Sequence, residues 1–181
     1  RPWGKTVLWR VYKELRLNLP RRGKRRLPER VRTPLVIPVR PNEVWSADFM
    51  ADSLWSGRSF RTFNVIDDFN REGLRIEIDT SLPGARVVQA LDELAEVRGL
   101  PRRLRLDNGP EFISQTLGDW ARRRGVELQF IQPGRPMQNA YIESFNRTFR
   151  TEVLSCYVFT SLHEVRSMSE EWLRRYNEER P

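Results

Sequence analysis

An aspartate interrupts the mostly apolar run Val44-Trp-Ser-Ala-Asp48-Phe-Met-Ala51, and few folds tolerate that. A run of this length and composition reads as a buried strand. There a charge is costly unless it is paired or bound to a metal, so the fold has to bring Asp48 a partner. Two other carboxylates stand in suggestive settings. Asp107 ends Arg102-Arg-Leu-Arg-Leu-Asp107, whose leucines alternate with arginines before Asn108-Gly-Pro110 breaks the strand. Glu143 follows a Gly- and Pro-containing loop and opens a helix. On that helix Asn139, Glu143, Asn146, Arg147 and Arg150 share one side, and Ile142, Phe145, Phe149 and Val153 form the apolar stripe. A single acid among amides and arginines suits a phosphate-bearing ligand better than it suits a merely solvated face.

The acids are separated by 58 and 35 intervening residues. Two strand acids and one helix acid form an all-oxygen donor set of the kind that hard octahedral cations such as Mg2+ or Mn2+ require. Each has a bland reading as well. Glu143 reads equally as a surface glutamate, Asp107 as a turn cap and Asp48 as a satisfied core aspartate. Asp52, Asp67, Asp68 and Glu111 compete for the same role, although Asp67 and Asp68 fall in a turn and Glu111 in a helix first turn, where acids serve local ends.

Around these residues the pattern predicts strands over 44–51, 58–67 and 74–79, the first two turns suggesting antiparallel hairpins. A helix is expected from Pro83 to Arg98, a strand over 102–107 and a helix from Glu111 to Arg124. A fifth strand follows over 126–131 with Val126, Leu128 and Phe130 on one side. After the Glu143 helix, Ser161-Leu-His-Glu164 is a capping-box pattern opening a last helix. Three strands, helix, strand, helix, strand, helices spell an α/β fold with a mixed sheet.

Charge is unevenly placed. Residues 1–40 hold 13 Lys and Arg against two acids, while residues 41–181 hold 19 against 22. Residues 3–19 read as an amphipathic helix with Leu8, Val11, Tyr12, Leu15 and Leu19 on one face, either the end of a helical DNA-binding region or a helix packed on the main domain. Residues 20–41 read as a basic, Pro-rich linker whose Arg21, Arg22, Lys24, Arg25 and Arg26 are either solvated surface or phosphate contacts. Residues 42–181 form the main domain. The one cysteine, Cys156, and the one histidine, His163, exclude disulfide frameworks, Cys/His zinc sites and Ser-His-Asp catalysis within the chain. No apolar run reaches membrane-spanning length and no signal peptide is visible, so no membrane partner is expected and an intracellular location is the default. The start without Met and the abrupt end at Glu179-Arg-Pro181 suggest a fragment of something longer.

Trp45-Ser-Ala-Asp48-Phe, Leu106-Asp107-Asn-Gly-Pro-Glu-Phe112 and Gln138-Asn-Ala-Tyr-Ile-Glu143-Ser-Phe-Asn-Arg-Thr together resemble the catalytic core of bacterial insertion-sequence transposases of the second-frame type, within the retroviral-integrase superfamily. The resemblance covers roughly residues 41–181, includes Tyr176-Asn-Glu-Glu-Arg-Pro181, and matches that family's D,D(35)E spacing. It implies an RNase H-like fold, a five-stranded sheet flanked by helices. It implies that Asp48, Asp107 and Glu143 hold two Mg2+ or Mn2+ ions, and that the protein cuts double-stranded DNA at element ends and joins it to target DNA, as an oligomer at the bacterial nucleoid. Gln138, Asn139, Asn146, Arg147 and Arg150 are the DNA contacts it implies by position. A nuclease of the same fold, or a catalytically silent DNA-binding or assembly protein, would share most of these features.

Overall fold

The structure, a computed structural model, describes residues 4–15, 17, 37–109, 112, 114–131 and 139–179. It divides into two units, residues 1–34 and 35–181. In the first, helix α1 (Lys5–Glu14) is shorter than the expected 3–19 and buries none of its residues. Leu8, Trp9, Val11, Tyr12 and Leu15 are all exposed on it, with Trp9 stacked on Tyr12. Leu19 and the basic residues Arg21, Arg22, Lys24, Arg25 and Arg26 lie outside the described residues.

The second unit is built on a five-stranded sheet of β1 (Val44–Ser53), β2 (Ser59–Asp67), β3 (Gly73–Asp79), β4 (Arg103–Leu106) and β5 (Glu127–Phe130), in the order β3-β2-β1-β4-β5. The β1–β2 and β2–β3 pairs are antiparallel, and β1–β4 and β4–β5 are parallel, as the element order required. Tight connections make the hairpins. After β2, Arg71 takes a φ of 63°, and the carboxylate of Asp67 accepts the N–H groups of Asn42 and Phe69 at 2.7 and 2.8 Å. Helices make the crossovers: α2 (Gly84–Arg98) leads to β4, and α3 (Gln115–Arg124) ends at Gly125, whose left-handed φ of 71° turns the chain into β5.

Helices cover both faces, which is why β1 and β2 are buried along most of their length. On one face Trp45, Ala47, Phe63, Val65, Leu104 and Leu106 meet α2 and α3. On the other Phe60, Ile66 and Ile78 meet α4 (Ala140–Phe149), its continuation as a π-helical turn over Arg150–Leu154, and α5 (Leu162–Glu179). The C-terminal Tyr176-Asn177 pair straps α5 down. Tyr176 packs edge-on to Phe145 at 4.9 Å, and the Asn177 amide exchanges two 2.8 Å hydrogen bonds with the backbone of Gly73. A Cβ at Gly73 would strike Leu173 and the Phe145 ring, so only glycine allows this approach.

Three local expectations are corrected. Helix α3 begins at Gln115 rather than Glu111, because Ser114 caps it by accepting the Leu117 N–H at 3.3 Å. Phe130 is 39% exposed, since β5 is the edge strand and little lies over its last residue. At α5, Ser161 accepts the Glu164 N–H, but the Glu164 carboxylate takes the N–H and hydroxyl of Thr160 instead of closing the box on Ser161.

Candidate active site

Parallel pairing of β1 with β4 sets Val44 opposite Arg103, Trp45 opposite Leu104 and Ser46 opposite Arg105. By the alternation of the strands Asp107, the first residue beyond β4, falls on the same face as Asp48, near enough for its charge to act on that carboxyl. The turn after β4 is fixed by Asp107 Oδ1, which accepts the Gly109 N–H at 2.9 Å, and by Asn108, whose amide donates to the Ile131 carbonyl at 2.7 Å. Helix α4 runs along this face. It carries Glu143 in its first turn, where the positive end of the helix favours a carboxylate. Glu143 is half-buried and makes no hydrogen bond or ion pair with any described residue.

Asp48 is held by neutral groups alone. Its Oδ1 accepts the N–H of Phe49 and its Oδ2 the amide of Asn146, both at 2.8 Å. Because a carboxylate only accepts, the Asn146 NH2 must face Asp48 and its carbonyl must face away. That carbonyl receives the amide of Asn64 at 2.7 Å, and Asn64 is the cross-strand partner of Asp48 on β2. Asn64 is fully buried, contacts Met50 Sδ at 3.2 Å, and leaves its own Oδ1 without a partner among the described residues. Burial pushes the Asp48 carboxyl up from the ordinary 3.8 to about 6, and the charges of Asp107 and Glu143 push the same way against the Phe49 N–H and Asn146.

Three oxygen-donor side chains with uncompensated negative charge fit a divalent cation, which would relieve the penalty on Asp48. Asp48, Asp107 and Glu143 are the residues that would hold it. Among the described residues no three acid, His or Cys side chains are gathered closely enough to enclose an ion.

The other predicted residues separate. Arg147 is exposed on α4. Arg150 reaches to β1 instead, donating to the Ala51 carbonyl at 3.0 Å and pairing with Asp52 at 3.2 Å, which also accounts for Asp52. Asn139 and Asn146 are buried, 3% and 7% exposed, so the outward-facing polar side expected of them is not formed; Asn146 turns in to Asp48. Gln138 and Glu111 lie outside the described residues. Asp67 serves its turn as expected, but Asp68 does more, forming a buried ion pair with Arg105 at 2.5 Å. Asn64 and Arg105 escaped the sequence reading. An arginine alternating with leucines looks solvent-facing, and only the covering of both faces of β4 turns Arg105 inward.

The family described as Integrase core domain matches the chain over residues 38–136 and again over 124–181. The chain is 45% identical over 174 residues to an uncharacterized 31.7 kDa protein of insertion element IS407 from Burkholderia multivorans, spanning 96% of this chain and 63% of that protein. It is 44% identical over 174 residues to an uncharacterized 39.2 kDa protein of insertion element IS476 from Xanthomonas euvesicatoria, spanning 96% of this chain and 50% of that one. It thus spans about half to two thirds of the length of these curated relatives. Similar solved structures include a chain of the simian T-cell lymphotropic virus intasome in complex with a PP2A regulatory subunit (TM-score 0.59, 18% identity, 68% of this chain and 44% of that one). The HTLV-2 integrase catalytic core in complex with magnesium also matches (TM-score 0.52, 16% identity, 65% of this chain and 77% of that one). At these identities the likeness establishes the fold, the RNase H-like core expected from the sequence.

Proposed function

This chain belongs to the integrase core domain family, and from that premise we propose that it is the catalytic domain of an insertion-element DNA transposase, cutting DNA at element ends and joining it to target DNA. The observation that carries the reading is Asp48: a carboxylate pushed up to about 6 by burial and by two neighbouring acids, with only an amide and an N–H to oppose them. Asp48, Asp107 and Glu143 are assigned as the holders of two Mg2+ or Mn2+ ions. When bound, such ions ease deprotonation of an attacking water or DNA 3′-hydroxyl and neutralise the leaving 3′ oxygen.

The side chains do the rest. Two strands and a helix carry the carboxylates on the same side of the sheet, and the Asn146 amide holds Asp48 Oδ2. Exposed Arg147 offers a planar cation to a phosphate beside them. Gln138 and the basic run Arg21, Arg22, Lys24, Arg25 and Arg26 are assigned to further DNA contacts, whereas buried Asn139 and Asn146 shape the site from within. The partners are double-stranded element ends and target DNA, bound by an oligomer of this chain at the bacterial nucleoid. Among the described residues no helix is long and apolar enough to cross a membrane.

The test is Mg2+-dependent processing of a labelled duplex ending in the element terminus, scoring cut and joined products for wild type and Glu143→Gln. Removing one carboxylate from the metal-holding set should lower both by about a thousandfold, several kcal/mol of charge stabilisation, with folding unchanged. Joined products undiminished in the variant would sink the assignment. Cutting without joining would identify a nuclease, and binding without either a DNA-binding protein.

A further inference from the structure

Strand β1 does not stop at the carboxylates. It pairs with β4 only through Ser46 but with β2 through Ser53, so beyond Asp48 the β1–β2 hairpin runs on with β2 as its only neighbour in the sheet. From Asp48 to Ser53 is five residues, about 17 Å at strand rise. The turn beyond is tight: the Leu54 N–H donates to the Arg58 carbonyl at 2.9 Å, the Gly57 N–H to the Leu54 carbonyl at 2.8 Å, and Gly57 takes a φ of 80°. At its tip Trp55 is 79% exposed.

Two anchors stiffen this hairpin against the α4 side of the molecule. Arg150 grips the Ala51 carbonyl and Asp52, and the Trp55 N–H donates to the Phe159 carbonyl at 2.7 Å. Isolated exposed aromatics are ordinary, but here an indole is presented at the end of a backbone held at two points. The chemistry around it is consistent. Residues 53–59 contain Ser53, Ser56, Ser59 and Arg58, all exposed, and no acid, while the nearest acid, Asp52, is neutralised by Arg150. Arg58 forms no ion pair with any described residue. Hydroxyls and an unpaired guanidinium suit phosphates, and an exposed indole suits the face of a base or a groove wall.

We infer that the Trp55–Arg58 hairpin tip is a DNA-contacting prong, Trp55 stacking on a base and Arg58 taking a phosphate of the strand whose scissile bond lies at Asp48, Asp107 and Glu143. This rests on the transposase reading and deepens it by naming a contact outside the carboxylate site. At 3.4 Å per base pair along one strand, the hairpin's reach puts the contact about five to seven base pairs from the cut phosphate.

Duplex binding without divalent metal, measured by anisotropy across a salt series for wild type, Trp55→Ala and Arg58→Ala, is the test. Trp55→Ala should weaken binding about tenfold, and Arg58→Ala should reduce the salt slope by about one phosphate contact. A photo-crosslinker at position 55 should mark bases five to seven pairs from the cut. Both residues are exposed, so neither variant should alter the melting temperature. Wild-type affinity and slope in both variants would overturn the proposal. So would a Trp55→Ala variant that changes only the sedimentation of the protein, which would make the tip a contact between protein copies. A prong that fails while Glu143→Gln still abolishes joining leaves the transposase reading intact. Prong binding without any cutting or joining by wild type would count against that reading alone.

Discussion

Two aspartates on neighbouring parts of one sheet face meet opposite fates. Asp68, just past β2, is fully buried, and burial pushes its carboxyl up against the Ser46 hydroxyl, Arg105 and Arg71. The chain supplies its own counter-ion, Arg105, at 2.5 Å, with the two side chains 0% and 3% exposed. Two residues beyond the Ser46–Arg105 pair, at Asp48 and Asp107, the arrangement reverses. Asp48 receives an N–H, an amide and two more negative charges. A fold that neutralises a buried acid four residues, about 13 Å, along the same strand pair leaves this one open to a cation from outside.

Breaking the compensated site should have the largest effect on stability. Arg105→Met strands the Asp68 carboxylate in the interior, and uncompensated buried charges of this kind cost about 3–5 kcal/mol. Denaturant unfolding at pH 7 reads it directly, and Arg105→Met combined with Asp68→Leu should recover most of the loss. A single variant losing less than 1 kcal/mol would mean that the two aspartates do not differ as argued.

At the open site removal of charge should stabilise. The folded state raises the Asp48 carboxyl from 3.8 to about 6, so folding favours its protonated form. That contribution is fully present below about pH 4 and is lost as pH rises through 6. At pH 7 the metal-free protein therefore carries a penalty of about 2–3 kcal/mol, which Asp48→Asn should remove while abolishing cutting and joining. Between pH 4 and 6 the wild-type stability should fall and the variant's should stay flatter. Mg2+ should stabilise only the wild type. Parallel pH profiles for the two proteins would put the strain elsewhere.

Much of this was written in local pattern. The succession of strands and helices, the crossover helices and the settings of Asp48 and Asp107 on strands and Glu143 on a helix follow from alternation, turn residues and the apolar stripe of α4, all readable within a dozen residues. What the sequence hid depends on pairs far apart in the chain. Asn64 sits in an unremarkable strand until antiparallel pairing sets it opposite Asp48, and Asp68 passes for a turn acid until Arg105 is turned toward it. Asn139 and Asn146 mislead because helical spacing gives a face without saying what lies over it.

The smallest effect should come from Asn64, and it separates orientation from packing. Asn64→Leu leaves the Asn146 carbonyl without its 2.7 Å donor but also deletes the Asn64 Oδ1, which has no partner among the described residues. One orphaned buried acceptor replaces another, so stability should move by less than about 1 kcal/mol. The Asn146 NH2 still faces Asp48 Oδ2, but with no donor on its carbonyl the amide is held at one end only and is freer to swing off that contact. Loss of such outer partners lowers metal affinity about 10- to 100-fold, and about tenfold is expected here because the Phe49 N–H still holds Oδ1. Mn2+ binding followed by electron paramagnetic resonance, beside the melting temperature of the metal-free protein, gives the two readings independently. Weaker Mn2+ binding at unchanged stability assigns Asn64 to orienting the site, whereas a matched loss of both makes it ordinary core.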